Sequence, residues 1–555
     1  MTHVVTQPCC NDASCVSVCP VNCIHPTPAE PEFLTAEMLY IDPETCIDCG
    51  ACIEECPVQA IIPDDQLDER DEPYLAINAA YYDDHDVEGG LVRPTKAQPL
   101  PDGELHVAIV GSGPAAFYAA EELVRRSSVR VDMFERLPTP YGLVRAGVAP
   151  DHPSTKGVER AFLSTASKKN FEYFLSVEVG TDITHAELAD RYHAVIHASG
   201  ASTDKRLGID GEELSGSIAA TDFVAWYNGH PDHAERIYDL TAERVVIVGN
   251  GNVALDVARI LLTDPDALAR TDIADHALAV LRESRVREVV IMGRRGIAQA
   301  AYTNSEFLAM GQLDGVDVVI DPDELGLDDE TRQAFDAGTL DSTIATKIRL
   351  AQEYARQGGA GEDRRVVFRY LVSPVEIVGE RTVDKLRCVR NEFITASDGR
   401  VRATDQEIVI RTPMVLRAIG YRGRPVDGLP FDNTRGIVPN ETGRVVDPAG
   451  DPVRGVYVAG WLKRGATGGI GMNRLCGHET AAAVLADHIA GRLPAPTTSR
   501  DDVTDLLARR GASRIDGNGW KNIDKAEKSA GRTSGRQRVK LVHNSALRLA
   551  AVGGA

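Results

Sequence analysis

The stretch VAIVGSGPAAFYAAEELVRRSSVRVDMFE, residues 107–135, decides how the chain is read. A short apolar strand runs into Gly111 and Gly113, with Ala116 in the third position of a G-x-G-x-x-G/A pattern. Gly111 permits a tight turn, Gly113 lets the backbone approach a diphosphate, and Ala116 lets the next helix pack close on the strand. The diphosphate is expected at that helix's N-terminus, where unpaired N–H groups point at it. A second strand, VRVDMFE, ends in Glu135, the acid that takes ribose hydroxyls. The glycines alone also fit an ordinary strand–turn–helix. Strand, glycines, amphipathic helix, second strand and terminal acid together predict a dinucleotide site.

Working outward, the pattern returns in RVVIVGNGNVALDVARILL from Arg244, with Gly249, Gly251 and Ala254 standing where Gly111, Gly113 and Ala116 stood. Its second strand, REVVIMGRRG, follows a polar helical insertion at about 264–285 and ends in Arg294 and Arg295 instead of an acid. A carboxylate there would repel a 2'-phosphate, whereas two guanidiniums supply charge and paired donors. The first site is therefore expected to take a dinucleotide without that phosphate, and the second NADP. Between the two, LPTPYGLVRAGVAPDHPSTK (137–156) is too irregular for a helix, and ordered loops of that length are usually functional.

FEYFLSVEVG (171–180) and HAVIHASG (193–200) read as further strands. MVLRAIGYRG (414–423) reads as the return to the first domain, and 456–489 as a strand, a glycine-rich turn and an Ala-rich helix. The expected organisation is a cysteine-rich segment 1–70, a linker 71–104, a first nucleotide domain from 105–202 and 415–555, and a second from 203–414. The tail from 490 carries no pattern of its own. Tyr81 and Tyr82, in the linker, are expected to pack on a neighbouring domain.

Nine of the 11 cysteines lie before residue 57. Cys46, Cys49, Cys52 and Cys56-Pro57 give C-x2-C-x2-C-x3-C-P, in which three thiolates wrap one iron–sulfur cube and the fourth crosses to another. The earlier half repeats the spacing as Cys9, Asp12, Cys15 and Cys19-Pro20, with Asp in the second position. Cys46, Cys49, Cys52 and Cys19 are thus assigned to one 4Fe-4S cluster, and Cys9, Cys15 and Cys56 to the other. Asp12 leaves two readings of that second cluster, 3Fe-4S without a fourth iron or 4Fe-4S with a carboxylate ligand. Zinc also takes C-x2-C pairs, but the two C-P endings and the lack of a suitably spaced His disfavour it. Cys10 and Cys23 have no place in the assignment and are read as free.

A length of 555 residues implies several cores. A formal net charge of -22 disfavours nucleic acid, whose phosphates are bound through Lys and Arg, and suits a partner with a basic face. No apolar run reaches a membrane span and no signal sequence opens the chain, so a cytoplasmic protein without membrane insertion is expected.

With these residues in hand, about 105–540 resembles adrenodoxin reductase and bacterial ferredoxin–NADP reductases, on GSGPAAFYAAEEL, LPTPYGLVRAGVAPDHP, GNGNVALDVARILL, GRRG and GWLKRGATGGIG. The first segment is similar to two-cluster bacterial ferredoxins. The resemblance implies an α/β chain with two Rossmann-like domains of the adrenodoxin and glutathione reductase kind, preceded by an α+β ferredoxin domain. It implies FAD in the first nucleotide fold, lined by Gly111, Gly113, Ala116, Glu135, Leu143 and Val179, with Trp461, Gly468, Gly469 and Ile470 flanking the flavin ring. For NADP(H) it implies Asn250, Gly251, Asn252, Val253, Arg294, Arg295 and Glu306. Asp151, His152 and Glu306 are the catalytic candidates.

The implied reaction takes hydride from NADPH to FAD and then single electrons to the clusters, with the ferredoxin segment held near by its linker. The acceptor is a ferredoxin or another one-electron protein such as a cytochrome monooxygenase. The sequence departs from the resemblance at Ile297 and Ala466, where relatives carry Pro, and at Met472 and Cys476 on the flavin side. Three rivals share some features. A dithiol flavoenzyme of the thioredoxin reductase kind lacks its C-x-x-C beyond residue 57. A glutamate synthase small-subunit-like partner shares the domain order but is disfavoured by the 137–156 loop. A non-catalytic NADP-binding redox sensor would be told apart by its lack of turnover.

Overall fold

The computed structural model describes residues 2–85, 87, 100, 104–359, 361–394 and 399–553. Its first sheet has seven strands with Leu105–Val110 in the interior, parallel to Val129–Glu135 on one side and Ala194–His197 on the other. Val107, Ala108 and Ile109 are fully buried, as a central parallel strand covered on both faces requires. Phe171–Leu175 extends the sheet at one edge, and Pro452–Val458 continues it beyond Ala194–His197. The helix Pro114–Val124 packs along Ile470–Ile489. Their contact is close because it is built from small residues: a Cβ on Gly477 would lie 2.7 Å from the Ala115 carbonyl oxygen.

The second sheet has six parallel strands in the order Ser217–Ala219, Val415–Arg417, Arg244–Val248, Glu288–Met292, Arg364–Arg369, Val316–Ile320. The strand expected to mark the return to the first domain thus belongs to the second: Val415–Arg417 lies between Ser217–Ala219 and Arg244–Val248. Its apolar residues, which gave it the look of a first-domain strand, are buried in that core. The crossing itself is a short antiparallel ribbon of Thr203–Asp204 with Tyr421–Arg422, a few residues beyond the expected boundary at 414. An antiparallel meander, Val372–Val378, Lys385–Phe393 and Val401–Arg411, was not evident in the sequence.

The cysteine-rich segment pairs His3–Val5 with Ile61–Pro63 and Ile24–His25 with Tyr40–Ile41, both antiparallel. The expected linker is corrected in part, because Pro73–Asp84 is a helix. It packs against the cysteine-rich segment on one side and Ser342–Gln357 on the other, so no single apolar stripe advertises it. Tyr81 stacks on Tyr40 at 4.5 Å between ring centres. The Tyr82 hydroxyl donates to the carbonyls of Tyr40 (2.8 Å) and Cys23 (3.0 Å). Most of 86–103 lies outside the described residues.

The segment is also docked on the rest of the chain. Glu37 accepts from the Asn304 backbone N–H at 2.6 Å and pairs with Lys347 at 3.2 Å, and Asp84 accepts from the Ser342 N–H at 2.6 Å. The long loop holds two short helical turns that its irregular sequence concealed, Leu143–Ala146 and Thr155–Val158. The tail forms helices Asp502–Arg509, Gly517–Thr533 and Asn544–Ala551. No helix among the described residues is long and apolar enough to cross a membrane.

Candidate functional site

The strand Leu105–Val110 ends against its neighbour, and the chain must turn there at once. Gly111 has φ +105°, and a Cβ on it would meet the Ala198 carbonyl oxygen at 2.5 Å. Gly113, two residues on, faces open space and starts the helix Pro114–Val124, which has no capping side chain. Unpaired N–H groups above an open glycine form a cradle for a diphosphate. Ala116 is fully buried beneath it.

Glu135 accepts from the Ser112 hydroxyl (2.8 Å) and the Leu137 N–H (2.9 Å), and burial pushes its carboxyl above the usual range. The 137–156 loop is pinned to the glycine turn by the Tyr141 N–H, which donates to the Ser112 carbonyl at 3.0 Å. That brings Leu143, partly exposed, alongside the cradle, whereas Val179 lies in a bridge to Ile183 at the sheet edge. Trp461 donates its indole N–H to the Thr467 carbonyl at 3.0 Å and lies 5.2 Å from the Tyr421 ring. Beside it Gly468 has φ +73°, and Gly469 caps the helix Ile470–Ile489 with nothing within 4 Å of its would-be Cβ. This is a second uncapped helix N-terminus. Cys476 lies in the same helix, its sulfur accepting from the Gly460 N–H at 3.1 Å, and Cys388 is buried elsewhere in the meander, so no dithiol forms.

The second cradle repeats the first. Gly249 has φ +114°, with a Cβ 2.3 Å from the Ala418 oxygen, and Gly251 again faces open space above the uncapped helix Asn252–Leu262. Asn250 accepts from the Ala301 N–H through its carbonyl (3.2 Å), and Asn252 accepts from the Thr303 N–H (2.9 Å), with Val253 half-buried behind them. Arg294 and Arg295 are exposed just past Glu288–Met292, and neither guanidinium pairs with a described carboxylate. Two uncommitted cations at that strand end are suited to a phosphate.

Two of the three catalytic candidates, Asp151 and Glu306, converge on a residue the sequence did not single out. Arg259 is buried and donates to Asp151 (2.5 Å), Asp256 (2.6 Å) and Glu306 (2.8 Å). His152 lies 3.9 Å from Glu306, and the Gln7 amide from the cysteine-rich segment reaches both at 3.4 Å. Burial raises the Asp256 carboxyl to about 6 against the pull of Arg259, whereas that guanidinium holds Asp151 low against its burial. His152, Asp256 and Glu306 are close enough to share a cation, but Arg259 already supplies the positive charge. Asp256 and Arg259 stand three apart in GNGNVALDVARILL, spacing that puts both on one helix face and was the available signal.

The cysteines gather in two cavities. One is lined by Cys19, Cys46, Cys49 and Cys52, with Cys23 beside Cys19 at 3.4 Å. The other is lined by Cys9, Cys15 and Cys56, with Cys10 and Asp12. Cys19 and Cys56 have each changed sides, as the crossed assignment requires. Cys10 and Cys23 line the cavities as well, which their lack of a motif position did not suggest. Burial pushes the Cys9 thiol up to about 11 and the Cys52 thiol to about 12. Four soft donors around one cavity are the donor set an iron–sulfur cluster takes.

Comparison with known proteins bears on both parts. Residues 105–305 match the pyridine nucleotide-disulphide oxidoreductase family, and 39–62 match the 4Fe-4S binding domain. A probable ferredoxin/ferredoxin–NADP reductase of Mycobacterium tuberculosis is 47% identical, covering 98% of this chain and 93% of that protein. NADPH-ferredoxin reductase FprA of the same organism is 47% identical over 79% of this chain and 96% of its own length. The structure of that organism's FprA in complex with NADPH superposes with a TM-score of 0.75 at 45% identity, covering 81% of this chain and all of that one.

Proposed function

From the premise that the chain belongs to the ferredoxin/ferredoxin–NADP reductase family, we propose how its own residues divide the work. It is an NADPH-dependent flavoprotein oxidoreductase that feeds ferredoxin-type centres. When bound, FAD accepts hydride from the nicotinamide and gives up electrons singly, which is the conversion that one-electron centres need.

The chain supplies position and charge. The backbone at Gly111 and Gly113 and the N-terminus of Pro114–Val124 hold the FAD diphosphate, with Glu135 on the ribose, Leu143 beside the diphosphate and Val179 toward the adenosine. Trp461 and the turn Gly468, Gly469, Ile470 border the ring. Asn250, Gly251, Asn252 and Val253 hold the NADP diphosphate, and Arg294 with Arg295 clamps the 2'-phosphate. Arg259 gathers Asp151, Asp256 and Glu306 so that His152 is held against Glu306 for proton handling. Cys19, Cys46, Cys49 and Cys52 hold a 4Fe-4S cluster, and Cys9, Cys15 and Cys56 a second cluster, 3Fe-4S in our reading. The domains are 1–85 for the clusters, 105–202 with 423–553 for FAD, and 203–422 for NADP. A cytoplasmic setting, where thiols stay reduced, is in keeping with Cys10, Cys23, Cys388 and Cys476, which lie outside the cluster set and form no disulfide. The final acceptor is a one-electron protein, a ferredoxin or a cytochrome monooxygenase.

The observation that carries this reading is the docking of the Cys9, Cys15 and Cys56 cavity on the helix Ile470–Ile489, where the Gly471 N–H donates to the Cys10 carbonyl. Reconstituted protein should be bleached by NADPH and should reduce ferricyanide and cytochrome c steadily. Flavin bleaching without turnover would favour the redox sensor instead. Specificity offers a second check. Replacing Arg294 and Arg295 together by Ala should raise KM for NADPH by roughly ten- to a hundredfold, because a charge-assisted bidentate site is lost. KM for NADH, which lacks the phosphate, should barely change. Equal loss with both nucleotides would remove these residues from the phosphate site.

A further inference from the structure

Asp12 stands where the repeated motif has a cysteine, and its carboxylate is already engaged. Asp12 is buried, and its Oδ2 accepts from the Tyr118 hydroxyl at 3.1 Å and from Arg474 at 3.3 Å. Its Oδ1 accepts from the Ser14 N–H at 3.0 Å. Arg474 donates further to the Asp12 carbonyl and the Ser14 hydroxyl, both at 2.7 Å, and its guanidinium lies 5.9 Å from the Tyr118 ring centre. Tyr118 belongs to the helix of the first cradle and Arg474 to the helix Ile470–Ile489.

The same contact is fixed by shape. The Gly471 N–H donates to the Cys10 carbonyl at 2.7 Å, and a Cβ on Gly471 would sit 1.7 Å from the Asn11 oxygen. Asn11 and Ala13, on either side of Asp12, both have left-handed backbone, at φ +55° and +60°. Ala rarely adopts that conformation, so the loop's form is set by what it docks against.

We infer that Asp12 is a docking residue: it fastens the cysteine-rich segment to the flavin domain through Arg474 and Tyr118 and is not the fourth ligand of the Cys9, Cys15, Cys56 site. This rests on the reading of those cysteines as cluster ligands. It explains why a carboxylate stands in a cysteine motif, since a thiol could neither pair with Arg474 nor accept from Tyr118 as strongly.

The test compares holoprotein with Asp12→Asn, Arg474→Gln, their double variant and Gly471→Ala. Hydrogen exchange reports docking, and low-temperature EPR with iron and acid-labile sulfide counts reports the cluster. Asp12→Asn and Arg474→Gln should each speed exchange in residues 9–15 and 470–478 by roughly tenfold, as loss of a charged hydrogen bond implies. The double variant should add little to the worse single one. Gly471→Ala, which touches no charge and keeps the helix, should loosen the same amides. The EPR signal and iron count of Asp12→Asn should match the parent.

A changed signal or lost iron in Asp12→Asn, with Arg474→Gln unchanged, would make Asp12 a ligand and overturn the inference. So would unchanged exchange in Arg474→Gln and Gly471→Ala. If the parent protein itself holds no iron or sulfide, the cluster reading fails, while the exchange comparison still decides whether Asp12 is the anchor.

Discussion

Arg259→Met is expected to cost about 3–5 kcal/mol of stability at pH 8, the range for breaking a buried ion pair from one side. The guanidinium is buried, and its removal strands Asp151, Asp256 and Glu306 with no cation among them. Methionine fills the space, so the loss is electrostatic and should depend on pH. Asp256 already stands at about 6 in the parent, raised by burial and restrained by Arg259. Without that restraint its carboxyl rises further, and Asp151 loses the partner that holds it low.

A carboxyl whose folded pKa lies above its unfolded value binds its proton more readily when folded, so acid favours the fold. The deficit of Arg259→Met should therefore be largest at pH 8 and shrink as pH falls through 6 toward 5, read as the gap between thermal midpoints of variant and parent. A gap that stays constant or widens on acidification would mean the carboxylates are not the cause. Arg259→Lys should recover only part of the loss, because one ammonium cannot serve three carboxylates at once. Turnover with NADPH should fall further than NADPH binding, since His152 depends on Glu306 for its position while the diphosphate cradle is built from backbone.

How much of this was legible in the sequence depends on whether the physical demand is local. Gly111 and Gly249 announced themselves because a turn at φ above +100° against a neighbouring carbonyl admits little else. The cysteines could be sorted into crossed sets because cluster geometry fixes their spacing, and the two cavities follow that sorting. Arg294 and Arg295 could be singled out because a strand-end position gives charge a meaning, and both lie exposed there.

Arg259 was not, since an arginine three residues after an aspartate in a helix looks like an exposed pair until Asp151 arrives from 108 residues away. The helix Pro73–Asp84 was missed because residues buried on two sides leave no periodic stripe. Val415–Arg417 reads as a first-domain strand because an apolar strand before a glycine looks alike in either domain, and only pairing tells them apart. The tail was unreadable for a related reason: its charges pair with residues hundreds of positions earlier.

Glu527→Gln is the sharpest way to show what that tail does. Glu527 is fully buried in the helix Gly517–Thr533 and accepts two hydrogen bonds from Arg145, at 2.5 and 2.9 Å, one from Arg538 at 3.1 Å and one from the Leu541 N–H at 2.9 Å. Arg145 comes from the long loop beside the first cradle, and its carbonyl accepts from Lys540 at 3.3 Å. Lys540 also pairs with Asp272 of the second domain at 3.0 Å, which Lys156 of the loop reaches at 2.6 Å. One carboxylate thus anchors a chain of buried charges that ties tail, loop and NADP domain together.

Glutamine keeps the shape and removes the charge, leaving two guanidiniums without their anion, so a loss of about 3–5 kcal/mol is expected near neutral pH. Arg145 and Arg538 hold the Glu527 carboxyl below its ordinary 4.5 against its burial. Its contribution is present above that value and is lost as pH falls through the lower folded pKa. Parent and Glu527→Gln should therefore converge in acid, opposite in origin to the Arg259→Met case, where the variant is relieved; here the parent is weakened. Protease cleavage within 517–551 should become faster in Glu527→Gln at pH 7, and KM for NADPH should rise as the second domain loses its tie. Unchanged cleavage and unchanged KM would show that the buried charges are an isolated core feature, with no hold on the orientation of the NADP domain.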